Sequence, residues 1–593
     1  MLRSPPALLA ALLLTPLCGC APATRAPALP PAPVRLTLVG TNDLHGWVMP
    51  HEGKLPDGTP VTQGGLATFA GYVAALRQDN PDGVLLLDGG DLFQGTLASN
   101  LTEGEVVVRA MNQLGYVAAA LGNHEFDFGP VGARSVAQAG DDPVGALKAR
   151  IAEAHFAVLA ANVQEAATGA APAWLKGDGT LLVERNGVRI GVLGLATPTT
   201  PSVTNPVNVA GLRFSPMAPA ALAAAQRLRA RGAEVVVAVA HAGAVCKRLD
   251  DPHDTSSCDR GDSEIFELLE ALPAGTLDAV IAGHTHQPVG HFVNGTPVIE
   301  TSGQGRAFGL VELELDPKTH RVLPERTRLQ AALPVCERVE ARLGTCDERA
   351  LKEAGAGAQL VPARFRGHPV QADPAMGALL GEALARVQQE QQRPLGVRVP
   401  APLKRAYEAE SDLGNVLTDA LRAVAGVDVA LLNSGGLRAD LPAGELRYGD
   451  VFEVLPFDNT LATLTLSPAE LRQLLDAAYG HKGGILQVSG LRVTLAGCAG
   501  QAHVEAVTRE DGRPLPASAR LRVAMPDFLA RGGSGLDAVT RALPPGSIDL
   551  GEQRPLTVRD ALVEYWKAQG QPLVAPPRGR ITRLPAPREG CSP

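Results

Sequence analysis

Five short segments of this chain carry residues that bind divalent cations, and each one follows an apolar run. Val34–Val39 leads into Thr41-Asn42-Asp43-Leu44-His45-Gly46. Val84–Leu87 leads into Asp88-Gly89-Gly90-Asp91, and Val117–Leu121 into Gly122-Asn123-His124-Glu125-Phe126-Asp127. Val235–Val239 ends at Ala240-His241, and Ala279–Ala282 at Gly283-His284-Thr285-His286. Imidazoles combined with carboxylates and an amide suit borderline ions such as Zn, Mn or Co. A closed structural zinc site would normally use Cys, and these segments contain none.

Each apolar run reads as a buried strand, and the runs alternate with helical stretches from about residue 35 to 330, an α/β pattern. In open α/β sheets, ligands bind beyond the carboxyl ends of the strands. Five such loops on one edge would gather their side chains in one cleft. The glycines allow the sharp backbone bends that this needs. Singly, each motif is weak: Asp-x-His is often a turn, and His241 alone could be a strand-end histidine. Their combination and order point to a two-metal site. His155 and His253 fall outside the pattern.

The constellation DxH, GDxxxG, GNHEFD, H and GHxH resembles the calcineurin-like metallophosphoesterases. The forms TNDLHG, GGDLFQG and GNHEFD are similar to the bacterial 5′-nucleotidase branch, and the resemblance spans about residues 35 to 580. It implies an N-terminal four-layer α-β-β-α sandwich and a C-terminal α/β substrate-binding domain, joined by a helix. It also implies two divalent ions of Mn, Zn or Co type. Asp43, His45, Asp91 and His286 would hold one ion; Asp91, Asn123, His241 and His284 would hold the other. His286 stands where bacterial periplasmic nucleotidases often have Gln. Asp88 would orient a ligand. His124 and Asp127 match the catalytic pair, with Asp127 steering the imidazole. The implied reaction is in-line attack on phosphorus by a metal-bound hydroxide, with no phosphoenzyme.

The resemblance also assigns substrate contacts. Asn433-Ser434-Gly435-Gly436-Leu437-Arg438 is similar to the family's Asn-Gly-Gly-Gly-Ile-Arg, so Arg438 would fork onto the phosphate beside Asn433. Glu410–Asn415 matches a segment that an arginine precedes, and Arg405 is the nearest one. Phe457 and Phe528 match a pair of rings that clamp the base, each stack being worth about 1–3 kcal/mol. The family's Gly-Gly-Asp-Gly reads Gly532-Gly533-Ser534-Gly535 here, so the sugar contact loses a charge at Ser534.

The rest of the chain sets the frame. With 593 residues, 45% hydrophobic and 20% charged, it is a multidomain globular protein. A net charge of −8 disfavours a nucleic acid polymer as partner but not a small nucleotide. Residues 1–20 read as a lipoprotein-type signal peptide, with an apolar run from Ala7 to Leu14 and a lipobox-like Leu17-Cys18-Gly19-Cys20. Cys20 would carry the lipid; ordinary signal cleavage is the alternative. Residues 21–34 form a Pro/Ala tether. The domains are expected at 35–330 and 400–585, with a linker at 331–399 that includes a connector helix over 373–392. The six remaining cysteines suit disulfides in an exported, periplasmic or envelope protein. Proximity pairs Cys246 with Cys258, Cys336 with Cys346 and Cys498 with Cys591.

The leading expectation is an exported 5′-nucleotidase, extending to nucleoside di- and triphosphates or UDP-sugars. The alternatives are a 2′,3′-cyclic-nucleotide phosphodiesterase with 3′-nucleotidase activity, a thiosulfohydrolase of the same fold, and a non-catalytic surface binding lipoprotein.

Overall fold

A computed structural model describes residues 32–584 except 56–57, 133–134, 138–139, 262, 355–358, 482–483, 498–501 and 552–556. The signal segment, Cys20, Cys498 and Cys591 lie outside the described residues.

Two six-stranded sheets build the first domain. In the first, Val34–Thr41, Val84–Asp88, Tyr116–Ala120 and Ala157–Leu159 run parallel, while Ala307–Leu315 and Arg328–Pro334 extend the sheet antiparallel beyond Val34–Thr41. In the second, Val188–Leu195, Val235–Ala240, Ala279–Ile281 and Thr296–Glu300 are parallel, with antiparallel edges at Thr180–Arg185 and Val289–Val293.

Alternation along the strands explains the layers. Leu36, Leu38, Leu85 and Leu87 of the first sheet bury against Val192, Val235, Val237 and Val239 of the second. Val39 and Leu86 point the other way, onto helices Leu66–Asp79 and Glu105–Leu114. Val236 and Ala238 pack under helices Met217–Ala230 and Glu264–Ala271. The result is helix, sheet, sheet, helix. Because both faces are covered, the central strands read as continuous apolar runs.

Helix Pro374–Gln391 is capped by Asp373, whose carboxylate accepts from the Met376 N–H. Its Met376, Leu380 and Ala383 pack on the first domain, and Val387 packs with Phe452 of the second. The helix therefore belongs to both cores. The second domain begins at Pro394–Val399, paired with Gly444–Arg447. Its main sheet runs in the order Leu486–Ser489, Val429–Asn433, Leu521–Pro526, Leu461–Leu466, Ile548–Asp549. A smaller sheet joins His503–Arg509, Leu491–Ala496 and Ile581–Arg583.

Buried Glu410 fastens that last strand. Its carboxylate accepts from the backbone N–H groups of Gly579, Arg580 and Ile581 and from the Asn415 amide. Burial pushes the carboxyl up, but these donors outweigh it and hold it below its ordinary value of 4.5. A carboxyl lowered on folding stabilises the fold above its unfolded value, and that contribution fades as pH falls through the folded value. Glu410→Gln is therefore expected to cost about 2 kcal/mol at neutral pH. The cost should shrink in acid, as urea unfolding of both proteins at pH 7 and at pH 3 would show.

The described cysteines form Cys246–Cys258 and Cys336–Cys346, two of the three pairings expected from proximity.

Candidate metal centre and the cleft between the domains

All five motif loops leave the carboxyl ends of parallel strands and meet at one edge. The first two loops lie side by side: Asp43 N–H donates to Gly90 O at 2.8 Å, and His45 N–H to Asp91 O at 2.9 Å. The turns are tight enough to force five candidate ligands into the left-handed region. Asp43, His45, Asp91, His284 and His286 have φ of 50°, 47°, 58°, 83° and 54°. Each costs of order 1–3 kcal/mol, a cost typical of functional sites. Gly122 has to be glycine, because a Cβ there would lie 2.2 Å from Asp91 Oδ1.

Two ligand groups form. Asp43, His45 and His286 converge, with His45 Nε2 at 3.1 Å from His286 Nε2 and His286 Nε2 at 3.3 Å from Asp43 Oδ1. Asp91, His241 and His284 converge beside them. Asp91 Oδ2 lies 3.1 Å from His241 Nε2 and 3.7 Å from His45 Nε2, so it faces both groups. Asn123 Oδ1 joins the second group at 3.0 Å from His241 Nε2.

The donor chemistry fits cations. His45 Nδ1–H donates to Gln94 O and His241 Nδ1–H to Gly89 O, which leaves both Nε2 lone pairs aimed inward. His241 Nε2 thus faces Asp91 Oδ2, Asn123 Oδ1 and, at 3.1 Å, His284 Nδ1. One proton can serve one of these contacts; a cation at their centre serves all four atoms. Buried Asp43 Oδ1 has no hydrogen-bond partner among the described residues. Among the protein groups alone, burial pulls His241 down, but the carboxylates of Asp91 and Asp43 outweigh it and raise the ring to about 10. Burial, then Arg438, holds His45 well below the usual histidine range. Burial, then His241, lowers His284 to about 3.

His124 sits beside this cluster. Its N–H donates to Asp91 Oδ1 at 2.9 Å, and its Nδ1 lies 2.5 Å from Asp127 Oδ2. Burial pulls the ring down, and Asp127 and Asp91 more than reverse it, so its pKa is raised. Asp88 accepts from Thr41 Oγ1 and from Gly90 N–H, pinning the backbone just before Asp91.

The second domain closes the cleft. Arg438 is held by its own N–H to Val454 O and brings Nη2 to 3.3 Å from His45 Nε2. Arg405 donates to Leu437 O, bracing the Arg438 turn. The Asn433 side chain folds over Gly436 within the same turn, and the Ser434 hydroxyl ties it to Tyr407 O. The Phe457 ring is 5.7 Å from the His124 ring. The Phe528 ring lies against Gly533, where a Cβ would be 2.3 Å from it. The two phenylalanines share no ring contact among the described residues. Ser534, at φ 55°, donates its N–H to Ser202 O across the domain boundary. His155 and His253 lie elsewhere, with His253 stacked on Phe292.

The calcineurin-like phosphoesterase family model matches residues 36–288, and the 5′-nucleotidase C-terminal domain model matches 390–541. The chain thus carries both domains of the 5′-nucleotidase family, a calcineurin-like phosphoesterase domain followed by a 5′-nucleotidase C-terminal domain. As a member of that family it is a hydrolase of phosphate esters. It is 26% identical to the 5′-nucleotidase of Vibrio cholerae serotype O1, over 92% of this chain and 93% of that one. It is 25% identical to Endonuclease YhcR of Bacillus subtilis, over 92% of this chain but only 41% of that protein, so it spans less than half of that relative's length. The crystal structure of a 5′-nucleotidase precursor from Thermus thermophilus superposes with a TM-score of 0.72 at 27% identity, covering 93% of this chain and 100% of that one.

Several positioning residues of this nucleotidase fold went unassigned in the sequence. Buried Glu125 accepts from the N–H groups of Asp91, Leu92 and Gly122. Burial, then Asp91, raises its carboxyl to about 8. Glu300 holds Thr285 between the two histidines of GHTH. Asn42 donates to Asp43 Oδ2 and to Thr301 O. A signal for Glu300 existed: a sixth apolar run, Thr296–Glu300, ends in Thr-Ser-Gly as the other five end in Gly-flanked ligands.

Proposed function

We propose that the chain is an exported dinuclear-metal phosphatase that hydrolyses nucleoside 5′-monophosphates, extending to di- and triphosphates or sugar nucleotides. One observation carries the reading: Arg438, from the domain matched as the nucleotidase C-terminal domain, stands 3.3 Å from His45 at the ligand cluster. A phosphate placed on that cluster would meet a guanidinium from the opposite wall.

Asp43, His45, Asp91 and His286 would hold one ion, and Asp91, Asn123, His241 and His284 the other. Bound there, two divalent cations lower the pKa of water and neutralise charge on the phosphoryl oxygens. The side chains do the rest. Arg438 orients the phosphate, with Asn433 beside it and Arg405 bracing the turn. His124 keeps a proton on Nε2 for the leaving oxygen, and Asp127 fixes its ring through Nδ1. Phe457 and Phe528 stack the base, while Ser534 offers a neutral contact to the sugar.

Export is supported by the Met1–Cys20 segment, and the two disulfides suit an oxidising compartment. We place the lipid at Cys20. No helix among the described residues is long and apolar enough to cross a membrane.

A binding lipoprotein would have no use for the His124–Asp127 pair beside the converging ligands. A thiosulfohydrolase would have no use for the base clamp proposed at Phe457 and Phe528. The test is steady-state turnover of AMP, p-nitrophenyl phosphate and 2′,3′-cyclic AMP by the Mn²⁺-loaded protein. AMP should be the best of the three, and EDTA should abolish its turnover. Faster turnover of the cyclic ester would establish the phosphodiesterase alternative instead.

A further inference from the structure

Asp127 has two oxygens and two partners. Oδ2 faces His124 Nδ1 at 2.5 Å, and Oδ1 accepts from Thr204 Oγ1 at 2.7 Å. Thr204 is buried, 1% exposed, and lies on a loop that leaves the second sheet rather than the first. That loop also carries Asn208, whose amide donates to Phe126 O and Ser135 O and so grips the chain on either side of Asp127.

The same loop touches the substrate domain directly on one side of the aromatic clamp and, through Ser135, on the other. Ser202 O accepts the Ser534 N–H at 3.0 Å, beside the Phe528 side. Ser135, which Asn208 holds, donates to Asp458 O, next to Phe457. One arm therefore contacts the Ser534 loop directly, reaches the Phe457 loop through Ser135, and holds the carboxylate that steers His124.

We propose that Thr204 is a positioning residue for catalysis: by holding Asp127 Oδ1, it fixes the His124 ring so that Nε2 can protonate the leaving oxygen. This rests on the reading of His124 as the proton donor. In the step concerned, a water oxygen forms the new P–O bond, the ester P–O bond breaks, and the Nε2 proton passes to the departing alkoxide. A nucleoside 5′-alkoxide needs that proton. A nitrophenolate leaves without it.

The test uses that difference in leaving group. Thr204→Val should lower kcat for AMP about tenfold, because a geometrically impaired acid loses part of the 10²–10⁴ that such a group supplies. Its kcat for p-nitrophenyl phosphate should fall less than about threefold on the same ground. Metal content and Tm should match the parent. Thr204→Ser restores the hydroxyl and should return AMP turnover to near the parent rate. Equal losses on both substrates, or a Ser variant as slow as the Val variant, would overturn the assignment. If Thr204→Val misfolds, the Ser variant and Thr204→Ala make the same comparison. His124→Ala separates the two levels. If it slows both substrates alike, the proton-donor reading itself is wrong. If it discriminates between them and Thr204→Val does not, only the role of Thr204 is lost.

Discussion

Asp91→Asn is expected to lower kcat for AMP by about 10⁴-fold and to reduce bound metal from two ions per chain to one or fewer. Asp91 is the carboxylate that faces both ligand groups, 3.1 Å from His241 and 3.7 Å from His45. In the proposed two-ion site, loss of its charge would leave two cations with one fewer anion between them, and several kcal/mol of transition-state stabilisation would go with it; each 1.36 kcal/mol is tenfold in rate. The substitution is well suited to the site. Asn has the same shape, tolerates the left-handed backbone that Asp91 adopts at φ 58°, and can still accept the His124 N–H. A folding defect is therefore not expected, and Tm should stay close to the parent's. Metal analysis after dialysis, beside steady-state kinetics, checks both halves. Two retained ions with near-parental turnover would remove Asp91 from the bridging position.

Arg438→Ala should lower kcat/KM about a thousandfold, and by a similar factor for AMP and for p-nitrophenyl phosphate. Truncating one partner of a desolvated charged contact costs about 2–5 kcal/mol, and the upper part of that range corresponds to the factor given. Both substrates carry the phosphate that Arg438 is proposed to bind, so the loss should not depend on the nucleoside. Arg438→Lys should recover only part of it, because an ammonium cannot reproduce a fork. Phe457→Ala provides the contrast: about tenfold or more on AMP from the lost stack, with little effect on the aryl ester. Arg438→Ala activity within a few-fold of the parent would move the phosphate away from the inter-domain wall.

Much of this cleft was legible because its signal is local. A buried parallel strand is a short apolar run, and the next residues are the ones that reach the sheet edge, so the five ligand-bearing loops could be read from their order, while the choice of Asp43, His45, Asp91, Asn123, His241, His284 and His286 as ligands came from the family resemblance. The same runs showed the α/β alternation, and the four-layer arrangement came from the resemblance. What escaped was long-range. Thr204 meets Asp127 across 77 residues, and Arg559 reaches back 101 residues to Asp458 to hold the Phe457 loop. Neither stands in a motif, and a buried threonine or arginine has no periodicity that announces its partner. Glu410 shows the opposite limit: it lies in a recognised segment, yet its carboxylate serves the strand at Ile581 rather than the ligand cluster.

The central claim is that a metal cluster in one domain and a nucleoside-reading wall in the other act on one substrate. The most direct measurement is kcat/KM of the Mn²⁺-loaded protein for AMP and for p-nitrophenyl phosphate, side by side. The account predicts a preference for AMP of about a hundredfold or more, the worth of two aromatic stacks at 1–3 kcal/mol each. Equal values would leave a metallophosphatase whose second domain does not read the nucleoside, and would contradict the account.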